Sequence, residues 1–326
     1  MENLPKGLKR KWGFLKSQYG FRKAPMRAGI HLVSWLLRCS LRKPVFLNLR
    51  KWNVRMYLPA QWRGFGKYVF AFRENYEREL IYLEKLLAPG STFIDVGANM
   101  GIYTLVASRL VGEAGRVIAF EPSAQSFPLL RKNIALNGLT NVLALPEALS
   151  HEIGRTRLYH GPDPVSNSLG RGLSWDGDAE EVATETLDNV LHRTSLMRVD
   201  AIKIDVEGAE ELVLRGALKT LTRVRPIIVF EINPGACSSL GLSPYGAMEL
   251  LQSLGYNCFV VGQSGTDFRL DSPPGYFNVL AIPSNWNGNL DGLSPILSTG
   301  VSVNPERLDI SERSDTRQPQ ASFKNT

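Results

Sequence analysis

Cysteine is scarce in this chain of 326 residues: Cys39, Cys237 and Cys258 stand far apart, odd in number and in no Cys-x-x-Cys spacing. That excludes a disulfide framework and a cysteine-ligated zinc site, and it fits a reducing compartment. Histidine is nearly as sparse. Four isolated residues, among them His151, His160 and His192, form no metal-spaced pair, so no metal site is expected. Long apolar runs are also missing. The longest near the N-terminus, Ile30 to Leu37, is interrupted by His31 and Ser34 and falls short of the ~20 apolar residues that span a bilayer. Arg38-Cys39-Ser40-Leu41-Arg42-Lys43 follows it where a secretory signal would need a small-residue cleavage site. A cytoplasmic location is the expectation.

What is present is ordinary in bulk and uneven in place. Hydrophobic residues make up 44% and charged residues 21%, values of a soluble globular chain, which leaves collagen-like and wholly disordered readings aside. The net charge of +7 is concentrated at one end. Residues 1–55 hold fourteen Lys and Arg against one acid, Glu2, while the remainder holds 24 bases against 30 acids. Such a split points to a segment that meets phosphate or anionic lipid, or to a solvated basic extension. Within it Pro25 to Leu41 has a helical pattern opened by a proline, with Met26, Ile30, Val33, Trp35, Leu36 and Leu37 as its apolar residues. A basic helix of this kind can lie peripherally on the inner membrane surface or pack on the domain it precedes.

Residues 1–73 therefore read as a basic accessory region, 74–283 as the main domain, and 284–326 as a polar, disordered tail. In the main domain strands and helices alternate. Strands are expected at Thr92–Val96, Val117–Phe120, Asn141–Leu145, Ala201–Asp205 and Ile227–Glu231, with helices at 74–88, 102–111, 123–137, 186–192, 209–221 and 244–254. Repeated βα units give a parallel sheet with helices on both faces. Two last strands, Tyr256–Val261 and Tyr276–Ile282, are joined without a helix and should pair antiparallel. The fold class is α/β, doubly wound, Rossmann-like, and mostly parallel with a final antiparallel strand.

The first strand runs into Asp95-Val96-Gly97-Ala98-Asn99-Met100-Gly101, where glycines allow a sharp turn and a close approach to a ligand. Glu121 ends the next strand, 20 residues beyond Gly101. An acid at that distance is the usual device for holding two ribose hydroxyls. The loop lacks Gly-x-Gly-x-x-Gly, and Asp95 at its root would repel a pyrophosphate. The sign of that charge suits a ligand with a positive amino group, such as the methionine part of S-adenosylmethionine.

With Phe93 to Gly101, Val117 to Pro122, Thr186-Leu187-Asp188 and Ile202 to Glu210 in this order, the chain resembles the FkbM family of class I methyltransferases over about Tyr76 to Ile282. The resemblance implies a seven-stranded sheet whose last strand is antiparallel, S-adenosyl-L-methionine as cofactor, and O-methylation of sugars or secondary-metabolite alcohols. Carried over, it implies that Asp95, Gly97, Ala98, Asn99 and Gly101 hold the methionine end and Glu121 with Pro122 the ribose. Glu77 would stand near the amino group, Glu147 and Ala148 would border the adenine, and Asp205 would face the methyl group.

An alcohol must lose its proton to accept a methyl group, and Asp205 and Glu207 are the candidate general bases. Acids this close can instead repel, raise one pKa or share a cation, and Glu231 could join them. Asp205 as a purely cofactor-orienting residue is the competing reading. Acceptor contacts are expected from Gly161–Asp178, with Ser166-Asn167-Ser168 and Trp175. Rival functions are an inactive cofactor-binding scaffold at a membrane, an RNA methyltransferase, and a dinucleotide-dependent oxidoreductase. No RNA-binding module is evident, which argues against a nucleic-acid partner; a small-molecule or glycan hydroxyl acceptor is the expected one.

Overall fold

The computed structural model describes residue 13 and residues 15–16, 18–62, 64–77, 79–161, 167–170, 178–261, 276–286 and 301–302. Ahead of the main sheet, β1 (Val45–Leu49) and β2 (Val54–Leu58) form an antiparallel hairpin. Its residues alternate in and out: Val45, Leu47, Leu49, Val54, Met56 and Leu58 are buried beside Phe93, Leu105 and Val106 of the domain. This two-residue period is visible in the sequence, within a stretch whose excess of Lys and Arg reads as a basic accessory region. Asn133, fully buried, ties the hairpin down. Its Oδ1 accepts from the Tyr57 N–H at 2.7 Å, and its Nδ2 donates to the Met100 carbonyl at 2.9 Å.

The central sheet is built from β3 (Thr92–Val96), β4 (Arg116–Phe120), β5 (Val142–Leu145), β9 (Ala201–Ile204), β10 (Ile227–Ile232), β11 (Tyr256–Val261) and β12 (Phe277–Pro283). Their order is β11-β12-β10-β9-β3-β4-β5, with a two-residue strand β13 (Val301–Ser302) added beyond β11. The strands β10, β9, β3, β4 and β5 pair in parallel. β12 runs antiparallel between β10 and β11. The seven-stranded class I methyltransferase topology is thus realised. β3 and β9 are buried along their whole length, as parallel strands covered on both faces must be.

A small sheet of β6 (Ala148–Leu149), β7 (Gly154–Tyr159) and β8 (Ala179–Glu185) follows β5. Helix ends differ from the sequence reading at several places. The helix expected at 209–221 stops at Arg215, and a short one at Pro234–Ser239 was not foreseen; it is opened by the Asn233 side chain, which accepts from Ala236 N–H. Thr186 and Asp188 prove structural. Thr186 caps the Leu187–Arg193 helix, and the Asp188 carboxylate accepts from Lys219 and Thr220 at 2.7–2.9 Å.

One close approach fixes the mouth of the sheet. The Asp205 N–H donates to the Val96 carbonyl at 3.0 Å, and Gly97, at φ +78°, lies directly against the Asp205 carbonyl. A Cβ on Gly97 would stand 1.9 Å from that oxygen. Gly97→Ala is expected to destabilise the fold by roughly 2–4 kcal/mol, since positive φ and a backbone clash coincide; urea unfolding checks this, and a change below ~0.5 kcal/mol would refute the close-approach argument.

Candidate active site

The loop between β3 and the Ile102–Val111 helix is closed by its own backbone. Gly97 and Ala98 N–H both donate to the Phe120 carbonyl, at 3.0 and 2.9 Å, and Gly101 N–H donates to Ala98 O at 2.8 Å. Asn99, in a left-handed conformation, donates its N–H to Glu121 Oε2 at 2.7 Å. Ser123 N–H donates to the other oxygen, Oε1, at 2.9 Å. Each Glu121 oxygen keeps acceptor capacity for one further donor. Burial pushes the Glu121 carboxyl up to about 7 despite those two backbone donors.

Beside this loop stands a group of acids around one base. In the parallel register Lys203 on β9 sits opposite Asp95 on β3, so their side chains share a face of the sheet. The Lys203 ammonium pairs with Asp205 Oδ2 at 3.0 Å and lies 4.5 Å from the centre of the Tyr103 ring. Burial disfavours its charge, but Asp205, Asp95 and Glu77 outweigh that and raise its pKa. Asp95 is fully buried; Oδ2 accepts from the Thr104 hydroxyl at 2.5 Å, whereas Oδ1 has no hydrogen-bond partner among the described residues. Tyr103 donates its hydroxyl to Glu77 Oε2. Burial and the neighbouring Glu79 raise Glu77 to about 7.

One oxygen each from Asp205, Glu207 and Glu231 lies within 4.8 Å of the others, a set that could hold a metal ion although the sequence reading assigned none. Burial, then the charge of Asp205 and Glu210, raises Glu207 to about 8, against the Asn233 amide that donates to it at 3.1 Å. Burial and the surrounding carboxylates push Glu231 well above the ordinary range. Glu207 has φ +52°, and the Ser168 hydroxyl donates to its carbonyl at 2.6 Å.

These groups surround a cavity of about 420 Å³ at the carboxyl ends of the strands. Of the residues expected from sequence, Glu77, Gly97, Ala98 and Asn99 line it, as do Glu121, Pro122, Glu147 and Ala148, and Asp205 and Glu207. Asp95 and Gly101 stand behind the wall: Asp95 faces Lys203, and Gly101 at φ +91° opens the helix. Sequence reasoning missed Lys203, Asn233 and Tyr103, and the aromatic wall of Phe65, Tyr68 and Tyr76. Alternation along β9 (Ala-Ile-Lys-Ile) was the available signal for Lys203, a charge inside a buried strand. Asn167 lines the cavity as expected of that loop; Ser166 and Trp175 lie outside the described residues.

The donor set fits a cationic nucleoside better than a dinucleotide. The N–H groups of Gly97, Ala98, Asn99 and Gly101 are all engaged internally, so none is offered to a pyrophosphate. Glu147 Oε2, a buried acceptor on a cavity-lining residue with no partner among the described residues, suits a ligand rich in N–H donors. The carboxylate excess around Lys203 suits an ammonium or sulfonium charge.

Comparison with known proteins agrees. The methyltransferase FkbM domain matches residues 95–258 of this chain. The chain is similar to methyltransferase sdnD of Sordaria araneosa, 33% identical over 159 residues, covering 39% of this chain and 61% of that protein. It is similar to the hexuronic acid methyltransferase AglP of Haloferax volcanii, 29% identical over 141 residues, 43% of this chain and 55% of the other. It is also similar to the 31-O-demethyl-FK506 methyltransferase FkbM of Streptomyces tacrolimicus, 29% identical over 182 residues, 46% of this chain and 69% of the other. The chain thus spans 55–61% of the length of the first curated relatives it matches.

The raised carboxyls carry a pH signature. Glu77, Glu121 and Glu210 reach about 7 and Glu207 about 8, from an ordinary 4.5. Between those limits the folded chain keeps protons that the unfolded chain has released, so stability falls as pH rises through the window. The thermal midpoint of the ligand-free protein is expected to drop between about pH 5 and about pH 8; a midpoint that rises over that range would show these acids to be ionised at no cost.

Proposed function

The chain belongs to the methyltransferase FkbM domain family, and we propose that it moves a methyl group from S-adenosylmethionine to a hydroxyl oxygen of a sugar, glycolipid precursor or secondary metabolite. The observation that carries this reading is the carboxylate group of Asp205, Glu207 and Glu231 opening on the same cavity as the loop and Glu121. S-adenosylmethionine supplies an electrophilic methyl on a positively charged sulfur. Glu121 holds the ribose hydroxyls through its two remaining acceptor positions. Glu77 and Glu147 offer carboxylate oxygens to N–H donors, and the aromatic wall of Phe65, Tyr68 and Tyr76 excludes water from the apolar side.

The accepting hydroxyl has to give up a proton, and Asp205 or Glu207 takes it. Lys203 keeps Asp205 oriented at 3.0 Å. Most of the acceleration comes from alignment of the hydroxyl with the methyl group, which the cavity walls impose. The names of AglP and of the FK506 enzyme, a hexuronic acid and a demethylated oxygen, support a hydroxyl-bearing acceptor.

Calorimetric titration with S-adenosylhomocysteine, with NADH as control, tests the cofactor. Micromolar binding of the first alone is expected, whereas NADH binding would overturn the reading. Glu121→Ala should weaken that binding by about a hundredfold, from two charge-assisted hydrogen bonds; unchanged affinity would remove Glu121 from the ribose.

Asp205→Asn should lower turnover by ~10²–10⁴ with little effect on cofactor affinity, and equal losses in both would make it an orienting residue. With Glu207 as base, turnover should rise with pH through about 8, and Glu207→Gln should flatten that limb.

A further inference from the structure

We propose that the outward face of the Pro25–Ser40 helix docks on the surface of an anionic lipid bilayer. This goes beyond methyl transfer and does not depend on it. The helix is apolar on two opposite sides. Ala28, Trp35 and Cys39 are buried against the protein, with the Trp35 indole N–H donating to Gln61 O at 3.0 Å and His31 bonded to Ala71 O at 3.0 Å. On the other side Met26, Ile30, Val33, Leu37 and Leu41 follow one another at spacings of four, three, four and four, which is one helical stripe. All five are 60–83% exposed, and Leu36 at its margin is 50% exposed. A face of large aliphatic side chains in continuous register calls for a covering partner.

Charge identifies the partner. Arg22, Lys23, Arg27, Arg42 and Lys43, at and beside the two ends of this helix in sequence, are exposed, and no Asp or Glu occurs between Glu2 and Glu74. A second copy of the chain, stacking stripe on stripe, would bring two such cationic borders together. An anionic bilayer satisfies both features at once: its acyl boundary takes the aliphatic stripe and its headgroups take the border. The 16-residue helix, about 24 Å long, is too short to cross a bilayer, and no described helix is long and apolar enough to do so. It would lie in the interface plane. The inner face of the same helix packs on the Gly66–Phe72 helix, through Trp35 and Phe70 with ring centres 5.4 Å apart. Phe65, Lys67 and Tyr68 at the start of that helix line the cavity, so docking holds the cavity one helix away from the lipid surface.

The test is co-sedimentation of the full chain with vesicles of phosphatidylcholine alone and with phosphatidylglycerol added. Binding is expected with the mixed vesicles and should weaken as salt is raised. Ile30→Glu/Val33→Glu/Leu37→Glu should lower the partition coefficient at least about thirtyfold. Arg42→Ser and Lys43→Ser should each lower it about fivefold on mixed vesicles only. Because these positions are exposed, all variants should keep the parent's circular dichroism and thermal midpoint, a control independent of any methyl-transfer assay. The proposal is overturned if the folded parent ignores mixed vesicles or if the triple variant binds them equally. A parent dimer that the triple variant abolishes would equally overturn it, assigning the stripe to self-association.

Discussion

A single buried ammonium governs the chemistry of this protein. Lys203 is 8% exposed, on a strand that is otherwise alanine and isoleucine, and burial works against its charge. It stays charged because Asp205, Asp95 and Glu77 stand around it. They in turn can sit in a closed part of the fold only because it is there. Burial first, and the neighbouring carboxylates after it, raise Glu77 to about 7 and Glu207 to about 8 and push Asp95 and Glu231 upward. The site is therefore an electrostatic deficit waiting for positive charge. A cationic ligand relieves it and a pyrophosphate aggravates it.

Backbone geometry makes the deficit local. Gly97 lies against the Asp205 carbonyl with no room for a side chain, which draws the exits of β3 and β9 together and sets the acid of one beside the loop of the other. The N–H groups that such loops offer to phosphates in other folds are spent here on Phe120 and Glu121. One consequence is that Glu121 is pinned by backbone on both oxygens, so its carboxylate is preorganised before any ligand arrives. Those two backbone donors favour the ionised carboxylate, and burial outweighs them, which leaves Glu121 at about 7.

The sequence made the local half of this legible. The run Asp95 to Gly101, Glu121 at the end of the next strand, and Asp205 with Glu207 are contiguous motifs whose spacing carries their geometry, and they meet at one cavity. The mostly parallel sheet with its antiparallel pair followed from the order of apolar segments and from the Gly- and Pro-rich, turn-like sequence that joins the last two of them. The non-local half was not legible. Lys203 becomes meaningful only once the β3–β9 register sets it opposite Asp95, and the aromatic wall of Phe65, Tyr68 and Tyr76 belongs to a segment that composition had marked as peripheral. Hairpin β1–β2 did carry its signal, an alternation in Val45 to Leu49 and Val54 to Leu58. It was overridden by the excess of Lys and Arg in the segment; within the hairpin Arg55 takes an outward position and Arg50 and Lys51 lie in the turn.

That segment also shows how net charge can mislead about location in a fold. Basic residues keep their heads in water while the intervening apolar side chains are buried, so a strongly basic stretch can be half core. In residues 25–58 Trp35, Leu47, Leu49, Met56 and Leu58 are nearly inaccessible, and removing the segment would strip one side of the domain and open the cavity beside Phe65. The inner face of the Pro25–Ser40 helix is accounted for by this role; the outer one is not. A helix needs a single apolar stripe to pack on its own domain, and an unneeded second stripe of Met26, Ile30, Val33 and Leu37 would cost solubility without adding to the core. Its presence beside cations, in a stretch with no Asp or Glu between Glu2 and Glu74, is what a surface in contact with two media, protein on one side and lipid on the other, requires.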